Sequence, residues 1–290
     1  MMKRRFTSLA AIAGAAALVL TGCAGGGAGG DSPWEVAEDV QLDGSATFDA
    51  MQAAGTIVIG VKEDQPGLGN LDAATGERTG FDVDMARWMA AELGFGEEQI
   101  QFEAIASANR EQALVNGDID MYIGTYSITD SRKEQIDFAG PYAVTGQGIL
   151  VAADNDTIAS EADLSADVNV CSATGSTPIQ NIRENYDAQT TEFDTYSQCI
   201  AQLESGAVDA VTTDQLILLG YAAQSPDTLK TVGEPFTVEN YGIGIPKGDE
   251  ALRGFLNDVL ENGGDTWTGI WENNLGSTGV AGDQPAVDRY

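Results

Sequence analysis

Three residues, Leu114, Gly117 and Asp120, recur as Leu203, Gly206 and Asp209, 89 positions later and at identical spacing. Each trio closes an apolar helical pattern and opens a short strand, residues 121–124 in one case and 210–212 in the other. Glycine is suited to end a helix there, because it adopts the left-handed cap conformation without strain. Each half also begins with a comparable strand and turn, residues 56–62 and 167–172. Two matches in the same order imply two similar α/β lobes. The chain's 290 residues accommodate two compact domains.

Helical patterns alternate with these strands. Met85, Trp88, Met89 and Leu93 form one apolar stripe at helical spacing. Leu252, Phe255, Leu256, Val259 and Leu260 form a second, and Trp267, Ile270 and Trp271 a shorter third. These aromatic residues read as core rather than as ligand contacts. Strand–helix alternation implies mostly parallel sheets covered on both faces. In such sheets ligands bind beyond the C-terminal strand ends. Those ends are Lys62, Thr125, Ser172 and Asp214, so the polar residues gathered there are the site candidates.

Composition removes several classes of function. Fourteen basic residues against 45 acidic ones give a net charge of −31, the wrong sign for phosphate contacts with nucleic acid. There is no histidine, which excludes Ser-His-Asp and Cys-His catalysis and any His-ligated metal. Three widely spaced cysteines make a Cys-only zinc site or an iron–sulfur cluster improbable, and no cofactor is expected. Without histidine, no side chain has an unperturbed pKa near neutrality. Ligand affinity is therefore expected to be nearly flat from about pH 5.5 to 8.

The N-terminus carries an export signature. Lys3, Arg4 and Arg5 precede an Ala-rich apolar run over 9–20, too short for a stable membrane span. It ends in Leu20-Thr21-Gly22-Cys23, which resembles the bacterial lipobox. That resemblance implies a signal peptide over 1–22, lipid attachment at Cys23, and a flexible Gly- and Ala-rich tether within 23–44. Cys171 and Cys199 remain. In an oxidising compartment such a pair reads as one disulfide, with two buried free thiols as the alternative.

Two motifs carry a family resemblance. One is Gly80-Phe81-Asp82-Val83-Asp84 before an amphipathic helix. The other runs from Gly124-Thr125-Tyr126-Ser127 through Thr129-Asp130-Ser131-Arg132 to Gly140-Pro141-Tyr142. Over about residues 50–275 the chain resembles the amino-acid receptors among bacterial extracellular solute-binding proteins, family 3. Residues 171–177 and 195–199 also resemble the glutamate-binding lipoproteins of Gram-positive importers. The resemblance implies a two-lobed α/β fold of the type II periplasmic-binding-protein kind. Each lobe would hold a mixed, mostly parallel sheet flanked by helices, the two joined by a pair of hinge strands. Lobe 1 would take 45–145 plus 238–278, lobe 2 would take 146–237, and 279–290 would form a flexible tail.

The chemistry of an α-amino acid fits the second motif. Its carboxylate calls for a planar bidentate donor, which arginine supplies. The resemblance makes Arg132 that clamp, with Thr125 and Ser127 as neighbours, and Asp214 the partner of the ligand ammonium. Thr174-Gly175-Ser176-Thr177 resembles the lobe 2 loop that caps the ligand carboxylate at a helix N-terminus. After the first strand there is no aromatic platform, and a basic residue, Lys62, stands where acidic-amino-acid receptors put one. Ser107-Ala108-Asn109-Arg110 resembles their Ser-x-Asn-Arg segment. Lys62, Ser107 and Arg110 therefore point to a side-chain carboxylate. The expected function is a non-enzymatic, monomeric, lipid-anchored receptor handing L-glutamate to an ABC importer permease from the outer face of the membrane. The alternatives are a receptor for glutamine or another polar amino acid, a sensory lipoprotein on the same fold, or a dehydratase.

Overall fold

The computed structural model describes residues 34–290. The expected signal peptide, Cys23 and the first part of the tether lie outside the described residues. From the N-terminal side, α1 (Ala46–Ala54) leads into β1 (Ile57–Val61). A small antiparallel sheet of β2 (Asp64–Gln65), β3 (Gly69–Leu71) and β4 (Arg78–Thr79) follows. Next come α2 (Phe81–Glu92), β5 (Ile100–Ala104), α3 (Arg110–Asn116), β6 (Met121–Tyr122), α4 (Asp130–Lys133) and β7 (Ile136–Thr145). The chain then crosses over to β8 (Gln147–Ala152), β9 (Asn169–Ala173), α5 (Thr177–Asn185), β10 (Gln189–Phe193) and α6 (Tyr196–Glu204). β11 (Ala210–Asp214), α7 (Gln215–Gln224) and β12 (Leu229–Val232) complete that half. β13 (Glu239–Pro246) crosses back, and α8 (Glu250–Asn262) and α9 (Gly264–Leu275) pack on the first half.

The two main sheets share one plan. Lobe 1 is ordered β5-β1-β6-β13-β7 and lobe 2 is ordered β10-β9-β11-β8-β12. The first three strands of each are parallel and the last two antiparallel. The protein is thus a two-lobed α/β fold with mixed sheets.

The repeat seen in sequence has a physical basis in both lobes. Gly117 follows α3 at φ 73°, and Gly206 follows α6 at φ 73°. Asp120 accepts from Val58 N at 2.7 Å, and Asp209 accepts from Asn169 N at 2.7 Å. In each lobe the aspartate secures the start of the strand that leads to the site.

The apolar stripes are buried as expected. Met85, Leu93, Leu252, Trp267 and Ile270 are nearly inaccessible, with Trp267 and Trp271 stacked at 5.2 Å. Among the described residues no helix is long and apolar enough to cross a membrane.

Cys171 on β9 and Cys199 on α6 form a disulfide that closes a loop of 28 residues. A loop of that size stabilises by about 3–4 kcal/mol on the chain-entropy model. At roughly 2–4 °C per kcal/mol for this chain length, Cys171→Ser with Cys199→Ser should lower Tm by about 6–16 °C. A calorimetric scan with an unchanged Tm would refute it.

Both ends depart from expectation. The tether does not extend to residue 44. From Trp34 onward the chain is docked, with Trp34, Val40 and Leu42 against the core and Ala37 N donating to Ala91 O at 2.9 Å. Residues 279–290 are not a free tail either. Asp288 N donates to Gly140 O at 2.9 Å, and the Tyr290 hydroxyl accepts from Phe138 N at 2.8 Å. These bonds cover the open edge of β7. The Tyr290 ring also lies between Lys133 at 3.9 Å and Arg253 at 4.6 Å. An unpaired sheet edge and two cations supply partners that glycine content alone does not reveal.

Candidate functional site

The lobe 1 side of the seam begins where β1 ends. Lys62 is buried, and its Nζ donates to Ser107 Oγ at 2.7 Å. Arg110, the first residue of α3, is also buried. Its guanidinium donates to Ser107 O at 3.0 Å and Thr125 O at 3.4 Å, and lies 4.3 Å from the centre of the Tyr126 ring. Arg132, on α4, approaches the same ring at 4.9 Å. It donates to Ser127 O at 2.7 Å, to Glu111 at 2.9 Å and to Gly175 O at 3.2 Å. Tyr126 therefore serves as a shared face for two guanidinium groups, an arrangement favourable to each.

Thr125 organises this wall. It sits in the left-handed region at φ 47°, costly for a β-branched residue. Three partners hold it there. Its N–H donates to Asp82 at 3.0 Å, its hydroxyl to Gln65 Oε1 at 3.1 Å, and its carbonyl accepts from Arg110.

Lobe 2 supplies the opposite side. Ser176 caps α5, its hydroxyl accepting from Ile179 N. The loop before it meets lobe 1 at Gly175 O, and Thr177 Oγ1 lies 3.3 Å from Ser127 Oγ. Thr174 is tied back to its own sheet, its N–H donating to Phe193 O at 2.8 Å. Gly175 is required by close approach as well as by its φ of 76°. A Cβ there would stand 2.7 Å from Ala108 Cα in lobe 1. At the end of β11, Asp214 is buried and accepts from the Tyr241 hydroxyl at 2.8 Å. Its other oxygen, Oδ1, is buried without a donor.

Two cavities border the seam. One of about 260 Å³ borders Arg132, Glu111, Gly175 and Gln180. The other, about 150 Å³, borders Lys62, Asp64, Asp194 and Thr195. A larger hollow of about 570 Å³ lies elsewhere on lobe 2. It is lined by Asp154, Glu204 and Asp227 and shares no residue with the seam.

Burial sets the electrostatics. Desolvation, aided by Arg110, lowers the Lys62 pKa to about 7. Desolvation and then Glu239 raise the Asp214 carboxyl to about 8, against the pull of Tyr241. Asp82 is pushed up to about 6 by burial. The absence of histidine therefore does not leave the site without groups that titrate near neutrality.

Sequence and fold comparisons place this geometry in a known group. The profile of the bacterial extracellular solute-binding proteins, family 3, matches residues 57–265. The chain belongs to this family. A glutamate-binding protein, GluB, of Corynebacterium efficiens is 40% identical over 272 residues, 89% of this chain and 87% of the relative. The ABC transporter glutamine-binding protein GlnH of Bacillus subtilis is 37% identical over 261 residues, 90% and 92% of the respective chains. Among solved structures, an ancestral arginine-binding protein bound to arginine is 34% identical with a TM-score of 0.69. That match covers 76% of this chain and 98% of the other.

Within this family fold, the structure brings Lys62, Ser107, Arg110, Thr125, Ser127, Arg132, Gly175, Thr177 and Asp214 to the seam. Thr174 and Ser176 support the loop from behind. Sequence reasoning missed Asp82, Gln65, Glu111, Tyr126 and Tyr241 as members of the site. Asp82 and Tyr126 were legible as parts of the two motifs. Glu111 was not, because its pairing with Arg132 spans 21 residues.

Proposed function

We propose that this chain is the substrate-binding protein of an amino-acid ABC importer, lipid-anchored at Cys23 on the outer face of the cell membrane, and that its ligand is L-glutamate. One observation carries the assignment. Lys62 and Arg110 are both buried at the seam, yet among the described residues neither is in an ion pair with a carboxylate. Buried charges call for a partner, and a ligand side-chain carboxylate supplies it. Arg132 takes the α-carboxylate through its planar donors. Asp214 Oδ1 takes the ammonium. No nucleophile–base pair is needed for this role, and the chain acts without catalysis.

Calorimetric titration with a panel of amino acids tests the ligand. Glutamate should bind most tightly. A preference for glutamine would overturn the acidic-side-chain assignment and leave the amino-acid clamp.

Glutamate requires Lys62 protonated and Asp214 ionised. Below about pH 7 Lys62 is charged, but Asp214 is increasingly neutral and affinity falls with pH. Above about pH 8 Asp214 is ionised, but Lys62 loses its proton and affinity falls again. Affinity should thus peak near pH 7.5 and weaken about sixfold by pH 6 and by pH 9. This replaces the flat profile expected from the sequence. A profile constant over that range would show that both groups keep ordinary pKa values.

Contacts from both lobes exist only when the lobes meet, so ligand should favour the closed arrangement. Small-angle scattering should show a smaller radius of gyration at saturating glutamate. An unchanged radius would count against ligand-driven closure.

A further inference from the structure

Asp64 stands two residues beyond Lys62, on β2 of the small sheet in lobe 1. Its charge favours the protonated form of Lys62, but its carboxylate is in no ion pair among the described residues. It reaches across the seam, where Oδ2 accepts from Ser197 N at 3.0 Å. Ser197 is the second residue of α6 in lobe 2. The Tyr221 hydroxyl, on α7 of lobe 2, donates to the Asp64 carbonyl oxygen and lies 3.4 Å from Oδ2. Beside this cluster the α7 backbone at Gly220 lies against Pro66 O so closely that no Cβ fits between them. Lobe 2 thus grips one lobe 1 turn with a helix N-terminus, a phenol and a bare backbone.

The physical match is specific. First-turn N–H groups of a helix have no intrahelical partner, and a helix N-terminus carries partial positive charge. Here the carboxylate that satisfies one of them comes from the other lobe. The helix receiving it is braced, since Cys199 on α6 is bonded to Cys171 on β9. The contact lies beside the Lys62 cavity, which Asp64 itself lines.

We propose that Asp64 is an interlobe latch, a lobe 1 carboxylate that caps α6 of lobe 2 and holds the lobes shut at the ligand side-chain end, so that it sets the rate of ligand release. The proposal deepens the receptor reading and rests on it for the identity of the ligand. Asp64 touches no proposed ligand atom and acts by positioning the lobes.

Two variants on opposite sides of the seam test it by stopped-flow kinetics with glutamate. Asp64→Ala removes the acceptor. Ser197→Pro leaves Asp64 in place and removes the backbone donor, together with the Ser197 hydroxyl's local contact to Thr195 Oγ1, at a first-turn position that tolerates proline, as Pro178 does in α5. Loss of a charge-assisted hydrogen bond should speed release about 10- to 100-fold in each variant, with the association rate within about twofold of wild type. The double variant should release no faster than the faster single one, because both remove the same bond. Unchanged release in Ser197→Pro, or effects that multiply in the double variant, would overturn the latch. A change confined to Asp64→Ala and to its association rate would mean that Asp64 acts on Lys62 by charge alone, which also overturns it. If the wild type binds no amino acid in the panel, the receptor reading fails by itself. Scattering then reads the latch directly: both variants should enlarge the radius of gyration, and an unchanged radius in both would overturn it.

Discussion

Arg132→Ala is expected to abolish measurable binding of every α-amino acid. The residue is 6% exposed, and all three guanidinium nitrogens are committed, to Glu111, Ser127 O and Gly175 O. Two of these partners fix the plane of the fork, and the third belongs to the opposite lobe. On the proposed assignment that fork meets the ligand α-carboxylate, the group common to the whole substrate class. Alanine removes the charge and strands Glu111 in a largely buried position. Removing one member of a buried charge pair costs about 2–5 kcal/mol, or roughly 30- to 5,000-fold in affinity. Arg132→Lys should recover little, because an ammonium cannot reproduce three planar contacts. Calorimetry on both variants with glutamate, glutamine and aspartate checks this. Circular dichroism confirms that the lobes remain folded. A dissociation constant within threefold of wild type for any of the three ligands would remove Arg132 from the clamp.

The parts legible in the sequence share a property: each is set by local chain chemistry. Gly117 and Gly206 end helices where no β-carbon is tolerated well, and Asp120 and Asp209 follow each at the same interval. That spacing reveals two lobes because the same local geometry was needed twice. The strand-end rule likewise brought out Lys62, Thr125 and Asp214, since strand ends converge on the seam in this kind of sheet. The parts that were not legible depend on partners distant in the chain. Asp82 is visible as a motif residue at a helix start, but its role there is not. Only the fold shows that it holds Thr125, 43 residues away, in a conformation that Thr125 would not adopt unaided. Tyr290 and Asp288 read as the end of a Gly-rich segment, yet they find the edge of β7. The pH response expected from composition differs from that expected from the fold for a related reason. Composition reports which groups are present, whereas desolvation moves Lys62 and Asp214 toward neutrality only once the lobes bury them.

Arg110→Ala and Lys62→Met are expected to weaken glutamate far more than glutamine. The two cations play a different part from Arg132. Arg132 already has a carboxylate partner in Glu111, whereas Arg110 rests on backbone carbonyls and the rings of Tyr122 and Tyr126, and Lys62 on the Ser107 hydroxyl. Dipoles and ring faces offset only part of the cost of burying a full charge. A ligand carboxylate would complete both groups, while a ligand amide would offer each only another dipole. Losing either cation strands the γ-carboxylate of glutamate, at about 2–5 kcal/mol, but leaves the glutamine amide uncharged and able to bond elsewhere. The glutamate-to-glutamine affinity ratio should therefore fall at least tenfold in each variant, and could invert. The ratio is the quantity to measure, because general damage to the seam lowers both affinities together and cancels. Lys62→Met preserves most of the buried alkyl stem, which limits any packing loss. Should both variants keep the wild-type ratio, the side-chain carboxylate assignment fails, and the two unpaired cations must answer to some other anion.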